Sequence, residues 1–269
     1  MTTIWKLLRI NLDETLNTIK CTCVWEHILN HIKYEPNNTF SVVTSKQIKE
    51  AKDTWLGKQS QFEPRLLCKQ DNKQKRPEIF KKYGVYLLSI KNGTYLLTKN
   101  NIYIDLPSCK SPLKNITIKN KSCLLTLGDS ETTMIDNLRY NGVLEDIIGE
   151  KITYGPLLGG RHYCSFKTTL GNEELTITGS QYETDACYET NNHIYIIEAK
   201  NIETDNFNIR QLYYPFRSVY DKIGNKKKIS CLFMYKDKSN IIHIYKYIWN
   251  NPLVMTDISC VDSFKYKLY

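Results

Sequence analysis

The chain has 269 residues and a formal net charge of +9, and 41% of its residues are hydrophobic. This length and composition exclude a disordered chain and predict one large globular domain or two smaller ones. No apolar run reaches the roughly 20 residues of a membrane span, and the first residues lack the apolar core of a secretion signal. We therefore expect a soluble intracellular protein with no membrane association.

The positive charge is concentrated in the front half of the chain. Residues 1–125 contain 21 Lys and Arg against 10 Asp and Glu, a net charge of +11, whereas residues 126–269 contain 16 against 18, a net charge of −2. An AT-rich genome would raise the lysine content, but it would not separate the charges in this way. The segregation favours nucleic acid as the partner of the front half.

The first predicted elements are helices followed by a hairpin. Apolar periodicity predicts a helix over Ile4–Ile32, and the residues from Thr44 are typical of a helix start. Pro77 begins a short helix that ends at Gly84, and the Asn-Gly pair at 92–93 predicts a tight turn between two strands. This order is that of a winged helix-turn-helix, in which a helix enters the major groove of DNA. An ordinary α/β segment with a solvated basic face has the same order.

A basic segment precedes this hairpin, and it supplies the candidates for DNA contact, which are Lys73, Lys75 and Arg76. Prolines and lysines between Pro107 and Asn120 then predict a loop, where we place the domain boundary. The expected organisation is a mostly helical, basic DNA-recognition domain over residues 1–122 and a second domain over residues 123–269.

The second domain is predicted to alternate helices and strands. Ser130 caps a helix from Glu131 to Leu144. Four strands follow, with a turn at residues 190–192 before the last of them: His162–Thr168, Glu174–Thr178, Gln181–Tyr188 and His193–Ala199. A helix over Asn206–Ile223 then leads into two strands, Ile229–Tyr235 and Ile242–Trp249.

Two carboxylates and a lysine belong to neighbouring strands of this domain. Glu198 and Lys200 are two residues apart and share one face of a strand, while Ile197 and Ala199 point to the opposite face. If the strand that carries Asp185 pairs with theirs in register, Asp185, Glu198 and Lys200 converge. Oxygen ligands of this kind are those that Mg²⁺ prefers. The pattern therefore predicts a Mg²⁺ site formed by Asp185, Glu198 and the carbonyl of Ala199.

The lysine and a third acid would complete this site. Lys200 would position or deprotonate a water, or neutralise charge on a phosphate. Glu131 and Glu183 are the two candidates for the third carboxylate. In the helix that follows, the candidates to contact phosphate or orient the lysine are Arg210, Gln211, Tyr214 and Arg217. A surface hairpin with a Glu198–Lys200 salt bridge would carry the same short Asp…Glu-x-Lys pattern.

Three segments and an upstream helix entry form a longer combined pattern: Gln181-Tyr182-Glu183-Thr184-Asp185, Ile196-Ile197-Glu198-Ala199-Lys200-Asn201, Arg210-Gln211-Leu212-Tyr213-Tyr214-Pro215-Phe216-Arg217, and Gly128-Asp129-Ser130-Glu131. The combined pattern resembles the PD-(D/E)xK nuclease superfamily and, more narrowly, a group of bacterial type II restriction endonucleases. Thr184 replaces the proline that names the superfamily, which is dispensable for the chemistry.

The resemblance implies an α/β fold in which a central mixed sheet is flanked by helices. It implies Mg²⁺-dependent hydrolysis of double-stranded DNA that leaves 5′-phosphate ends, with Mn²⁺ able to substitute. By the same resemblance Asp185 and Glu198 would bind the metal, Lys200 would assist the water and Glu131 would be a supporting acid.

The predicted function is that of a type II restriction endonuclease in the bacterial cytoplasm. We expect a homodimer, because cutting both strands requires two active sites. Two alternatives remain open, which are a structure-specific repair or recombination nuclease of the same superfamily and a catalytically inactive DNA-binding regulator.

Overall fold

A computed structural model of the chain describes residues 21–38, 40–57, 62–118, 122–126 and 128–269. The chain divides into two units, Met1–Tyr103 and Ile104–Tyr269. This division precedes the predicted boundary at residue 122, because the strand Leu113–Ile116 already pairs with the last strand of the second unit. Of the predicted helix over residues 4–32, the part up to residue 20 lies outside the described residues.

The first unit combines short helices with three antiparallel strands. Its described helices are α1 (21–31), α2 (Ser45–Ala51), α3 (Pro64–Leu67) and α4 (Glu78–Lys82), with 3₁₀ turns at Lys52–Thr54 and Lys73–Lys75. Its strands are β1 (Phe40–Thr44), β2 (Tyr86–Lys91) and β3 (Thr94–Thr98), and β3 lies between the other two. The predicted β2–β3 hairpin is confirmed, with Gly93 at φ +71° in its turn. Strand β1 was not predicted.

Local chemistry and apolar packing explain these elements. Thr44 caps α2 as predicted, because its hydroxyl accepts the N–H of Gln47 at 3.2 Å and the Gln47 side chain accepts the N–H of Thr44 at 2.9 Å. The core of the unit joins α1 to α4, with the rings of Trp25 and Phe80 at 4.7 Å and both side chains buried. Burial of each such side chain contributes on the order of 1.5–3 kcal/mol.

The second unit is built around a seven-stranded mixed sheet. Its strands are β5 (Leu113–Ile116), β6 (Tyr154–Leu157), β9 (Ala186–Glu189), β10 (His193–Lys200), β12 (Lys228–Lys236), β13 (Ile242–Trp249) and β14 (Ile258–Leu268). Their order across the sheet is β5-β14-β13-β12-β10-β9-β6. Strand β10 runs parallel to β12 and antiparallel to β9. The remaining strands are the long hairpin of β7 (Gly160–Leu170) and β8 (Glu173–Thr184), and the short β4 (Tyr103–Asp105) and β11 (Asn206–Asn208).

Helices cover both faces of the seven-stranded sheet. On one face, α5 (Glu131–Tyr140) and α6 (Val143–Ile148) share a core with Ile197 and Ala199 of β10. On the other face lies α7 (Arg210–Ile223), where the carbonyl of Leu212 meets the Cys231 thiol of β12. The predicted α/β class is therefore confirmed. No helix in the described part of the chain is long and apolar enough to cross a membrane.

Three predicted elements of the second unit are divided differently in the structure. The predicted strand Gln181–Tyr188 is two strands, since β8 ends at Thr184 and β9 begins at Ala186 in another sheet. The predicted helix from Glu131 to Leu144 is interrupted at Gly142, whose φ is +75°. The predicted helix from Asn206 begins only at Arg210, after the short strand β11.

Candidate active site at the end of strand β10

Asp185 lies in the connection between β8 and β9, beside the end of β10. Its N–H donates to the carbonyl of Ile197 at 3.3 Å, and its Oδ2 accepts the N–H of Ala199 at 2.7 Å. The pairing of β9 with β10 runs from Glu189 opposite Ile194 to Ala186 opposite Ile197. The two strands are thus paired and antiparallel, and this pairing brings the Asp185 carboxylate to the backbone of β10.

The residues before Asp185 fix this connection from the other side. Thr184 is buried and donates its hydroxyl to the carbonyl of Leu158. The ring of His162 forms a hydrogen bond with the same carbonyl at 3.0 Å. Asp185 is therefore held between the loop at Leu158 and strand β10.

Glu198 is a buried carboxylate with partners from two elements. The residue is 8% exposed, and its Oε1 accepts from Lys200 Nζ at 2.5 Å and from Gln211 Nε2 at 2.6 Å. Gln211 belongs to the first turn of α7, so the start of this helix covers the polar face of β10. The Oε1 atom of Gln211 is buried and has no hydrogen-bond partner in the described residues, which places a vacant acceptor beside Glu198.

Lys200 is surrounded by carboxylates. Its Nζ is 2.5 Å from Glu198 and 3.9 Å from Glu131. Burial by itself would lower the pKa of Lys200, but the charges of Glu198, Glu131 and Asp185 outweigh burial and hold the pKa above its ordinary value. In this arrangement Lys200 is protonated, so it acts as a hydrogen-bond donor and a positive charge.

The two candidates for the third acid lie in different surroundings. Glu131 is the first residue of α5, which Ser130 caps by accepting the N–H of Thr133 at 3.0 Å, and it is close to Lys200. Glu183 belongs to β8 and pairs with Arg161 at 3.2 Å, with both side chains more than half exposed. The geometry therefore favours Glu131 over Glu183.

The donor set at this end of β10 fits Mg²⁺. Asp185 and Glu198 supply carboxylate oxygens, and the carbonyl of Ala199 points to the same side of the strand as its N–H, toward Asp185. Across the described ranges, no three His, Cys, Asp and Glu residues form a group that could hold a metal ion. Mg²⁺ commonly uses only one or two carboxylates and completes its shell with waters and substrate phosphate, so two carboxylates and a carbonyl meet its requirements.

The two predicted arginines of α7 form intramolecular contacts. Arg217 is 3% exposed, and its guanidinium donates to the Lys167 carbonyl at 2.9 Å and to Asp221 at 3.0 Å. Arg210 is half-buried and donates to the Gln181 carbonyl at 2.9 Å. This geometry favours a structural role for Arg217 over the predicted phosphate contact.

The predicted basic residues of the first unit also differ from one another. Lys73 and Lys75 lie in a 3₁₀ turn, and Lys75 is exposed with its Nζ 3.3 Å from Asp71. Arg76 donates its Nε to the Val85 carbonyl at 2.8 Å, and its guanidinium lies 3.9 Å from the ring centroid of Tyr86. Arg76 therefore anchors the start of the hairpin, while Lys75 is exposed and Lys73 is half-buried.

Three residues beside the site were not among the predicted ones. Asn201 donates its side-chain amide to the Asp129 carbonyl at 2.6 Å, and Lys236 at the end of β12 pairs with the Asp129 carboxylate. The Oδ1 atom of Asn201 is buried without a hydrogen-bond partner among the residues described. Asp129 and Asn201 lie inside the sequence segments that carry the resemblance. Lys236 lies outside them, and only the pairing of β12 with β10 shows that it is close to the site.

Comparison with known families gives two matches. The family described as domain of unknown function DUF6997 matches residues 98–267, which is more than half of the chain. The chain belongs to the DUF6997 family. A second domain of unknown function, DUF6996, matches residues 22–97. The DUF6997 region contains every residue of the candidate active site, and no curated protein or solved structure matches the chain.

Proposed function

We propose that the protein is a type II restriction endonuclease that hydrolyses phosphodiester bonds of double-stranded DNA with Mg²⁺. The observation that carries the proposal is the convergence of Asp185, Glu198 and Lys200 at one end of β10, with Glu131 beside them. A mixed sheet with helices on both faces surrounds them, and such a core is what the PD-(D/E)xK resemblance implies.

Each side chain of the site has a role in this proposal. Bound Mg²⁺ would polarise the scissile phosphate and lower the pKa of a water. Asp185, Glu198 and the Ala199 carbonyl would hold the ion, while the Ala199 N–H and the Gln211 amide orient the two carboxylates. Protonated Lys200 would donate a hydrogen bond to the water or to a phosphate oxygen and offset its negative charge.

The first unit would recognise DNA as a winged helix. Support comes from its order of helix, strand, helices and hairpin, and from β3 lying between β1 and β2. Residues 1–103 contain 17 Lys and Arg against 9 Asp and Glu, a net charge of +8, whereas residues 104–269 contain 20 against 19, a net charge of +1. The polyanionic backbone of DNA is the natural partner of such a charge. Cleavage of both strands would require a homodimer on DNA.

Digestion of a plasmid of known sequence tests this function. With Mg²⁺ or Mn²⁺ the protein should give discrete fragments with 5′-phosphate ends, and EDTA should stop the reaction. Sequencing of the fragment ends would then give the recognition site. A smear, or cutting confined to branched DNA, would indicate a repair nuclease, and intact plasmid with both ions would contradict nuclease activity.

A further inference from the structure

The segment that enters helix α5 is attached to the ends of two strands. The side-chain amide of Asn201, the residue after β10, donates to the carbonyl of Asp129 at 2.6 Å. Lys236, the last residue of β12, forms an ion pair with the carboxylate of the same Asp129. Glu131, the third acid of the candidate active site, follows two residues later as the first residue of α5. Both strands are therefore connected to the segment that carries Glu131.

The register of β10 and β12 explains why both side chains reach Asp129. Ala199 and Met234 are opposite each other in this parallel pair, and both belong to the core that α5 shares with the sheet. Residues two apart in a strand point to the same face. Asn201 and Lys236 therefore lie side by side at the ends of the strands, on the face that α5 covers.

The contact between Glu131 and Lys200 is too weak to hold the start of α5 in place by itself. The two side chains are 3.9 Å apart, and the Glu131 side chain is 38% exposed. An ion pair that is partly exposed and this long contributes little. The cap at Ser130 orders the first turn of α5, but its hydrogen bond lies within the helix. The contacts of Asp129 with Asn201 and Lys236 are those that join this turn to the sheet.

Asn201 has an atom that stability alone does not explain. Its Oδ1 is buried and has no hydrogen-bond partner in the part of the chain that the structure describes. A buried acceptor without a partner is destabilising, and an apolar side chain of similar shape would avoid this cost. The asparagine is therefore better explained by the contact that its Nδ2 donor makes with Asp129.

We propose that Asn201 and Lys236 are positioning residues for Glu131. By holding Asp129 at the ends of β10 and β12, they keep the Glu131 carboxylate beside Lys200. The consequence for catalysis rests on the proposed function, in which Glu131 supports the site. The positioning itself does not depend on nuclease activity.

Amide hydrogen exchange tests the positioning without an assay of cleavage. Asn201→Leu should speed exchange of the Met134 N–H, which donates to the Ser130 carbonyl at 3.0 Å in the first turn of α5, about fivefold. Exchange of the Asn141 N–H, at the other end of α5, should be unchanged. Asn225→Leu, in the exposed turn after α7, is the matched control. Unchanged exchange at Met134 in Asn201→Leu would overturn the proposal.

Cleavage kinetics test the consequence for the reaction. Asn201→Leu and Lys236→Met should each lower kcat about tenfold and leave KM nearly unchanged, because Glu131 moves while DNA binding is retained. In the Glu131→Gln background neither substitution should lower kcat further. Lys236→Arg should restore kcat, since it keeps the ion pair with Asp129. Lys238→Met, at an exposed lysine two residues further along the chain, is the control for Lys236→Met.

The two experiments distinguish this proposal from the proposed function. Equal losses of kcat with and without Glu131→Gln would show that Asn201 and Lys236 do not act through Glu131, and would contradict the positioning role. If the wild type did not cut DNA while Asn201→Leu still sped exchange at Met134, the proposed function would fail and the positioning of Glu131 would stand.

Discussion

At the scale of single residues, Glu198 depends on partners from two elements. Burying an ionised carboxylate is costly unless charge and hydrogen bonds replace water. Lys200 provides the charge and Gln211 provides a neutral hydrogen bond. The sequence identified the Glu-x-Lys pair, but it grouped Gln211 with the candidates for DNA contact. The link between Gln211 and Glu198 spans 13 residues and arises only from the packing of α7 on β10.

Gln211→Met preserves the side-chain volume but should lower the affinity of the active site for Mg²⁺. Partners that orient metal ligands typically change metal affinity or activity by about 10–100-fold, so the cleavage rate at low Mg²⁺ should fall by that factor and recover partly at high Mg²⁺. The measurement is the initial cleavage rate as a function of Mg²⁺ concentration. Lys222→Met, on the exposed side of the same helix, is the control. An unchanged Mg²⁺ dependence would show that Gln211 does not position Glu198.

Arg217→Met should destabilise the protein by about 3 kcal/mol. The substitution removes a buried guanidinium whose hydrogen bonds join the Lys167 carbonyl to Asp221. The free energy of unfolding in urea measures this loss. If the free energy of unfolding were unchanged while DNA affinity fell, the result would favour the phosphate contact predicted from sequence over a structural role for Arg217.

At the scale of secondary-structure elements, local sequence patterns predicted the elements whose positions depend on short-range interactions. The β2–β3 turn at Gly93, the cap at Ser130 and strand β10 all have such local determinants. The break between β8 and β9 at Asp185 has no such local determinant. Apolar and polar residues continue across Asp185 although the chain passes there from one sheet to another. The alternation of apolar and polar residues therefore predicted the positions of the strands, but it did not predict the sheet to which each strand belongs.

The contact between β6 and β9 gives a prediction at this scale. Gly155→Ala should cost about 2 kcal/mol more than Gly160→Ala. Both glycines have positive φ, at +134° and +94°, but a Cβ atom at Gly155 would be 2.4 Å from Tyr188 Cδ1 and 2.8 Å from the Cys187 carbonyl, whereas Gly160 faces open space. Urea unfolding of the two variants measures the difference. Equal losses would mean that backbone strain, and not this contact, requires glycine at position 155.

At the scale of the whole molecule, the unequal distribution of charge was readable from sequence alone. The basic excess of the first unit appears in simple counts of residues. The division into units after Tyr103 was not readable, because Leu113–Ile116 follows a proline-containing loop and is assigned by its pairing with β14. Counting charges therefore located the basic part of the chain, whereas the division into units depends on a strand pairing that loop composition does not reveal.

Two lysines in the 3₁₀ turn of the first unit test whether this charge contacts DNA. Lys73→Gln and Lys75→Gln should each make the negative slope of log affinity against log salt concentration shallower by about 0.9, the effect of losing one phosphate contact. Fluorescence anisotropy with a labelled duplex at several salt concentrations gives the slope. Lys222→Gln in the second unit should leave it unchanged. If all three variants kept the wild-type slope, DNA contact by the turn at Lys73–Lys75 would be ruled out.

The cleavage rate of Lys200→Ala on double-stranded DNA with Mg²⁺ tests the proposed nuclease active site. Lys200 lies among the three carboxylates of the proposed site, so its removal should lower the rate by at least about a hundredfold. Lys222→Ala should keep the wild-type rate, and an unchanged far-UV circular dichroism spectrum would show that Lys200→Ala is folded. A folded Lys200→Ala protein that cuts DNA as fast as the wild type would contradict the proposed active site.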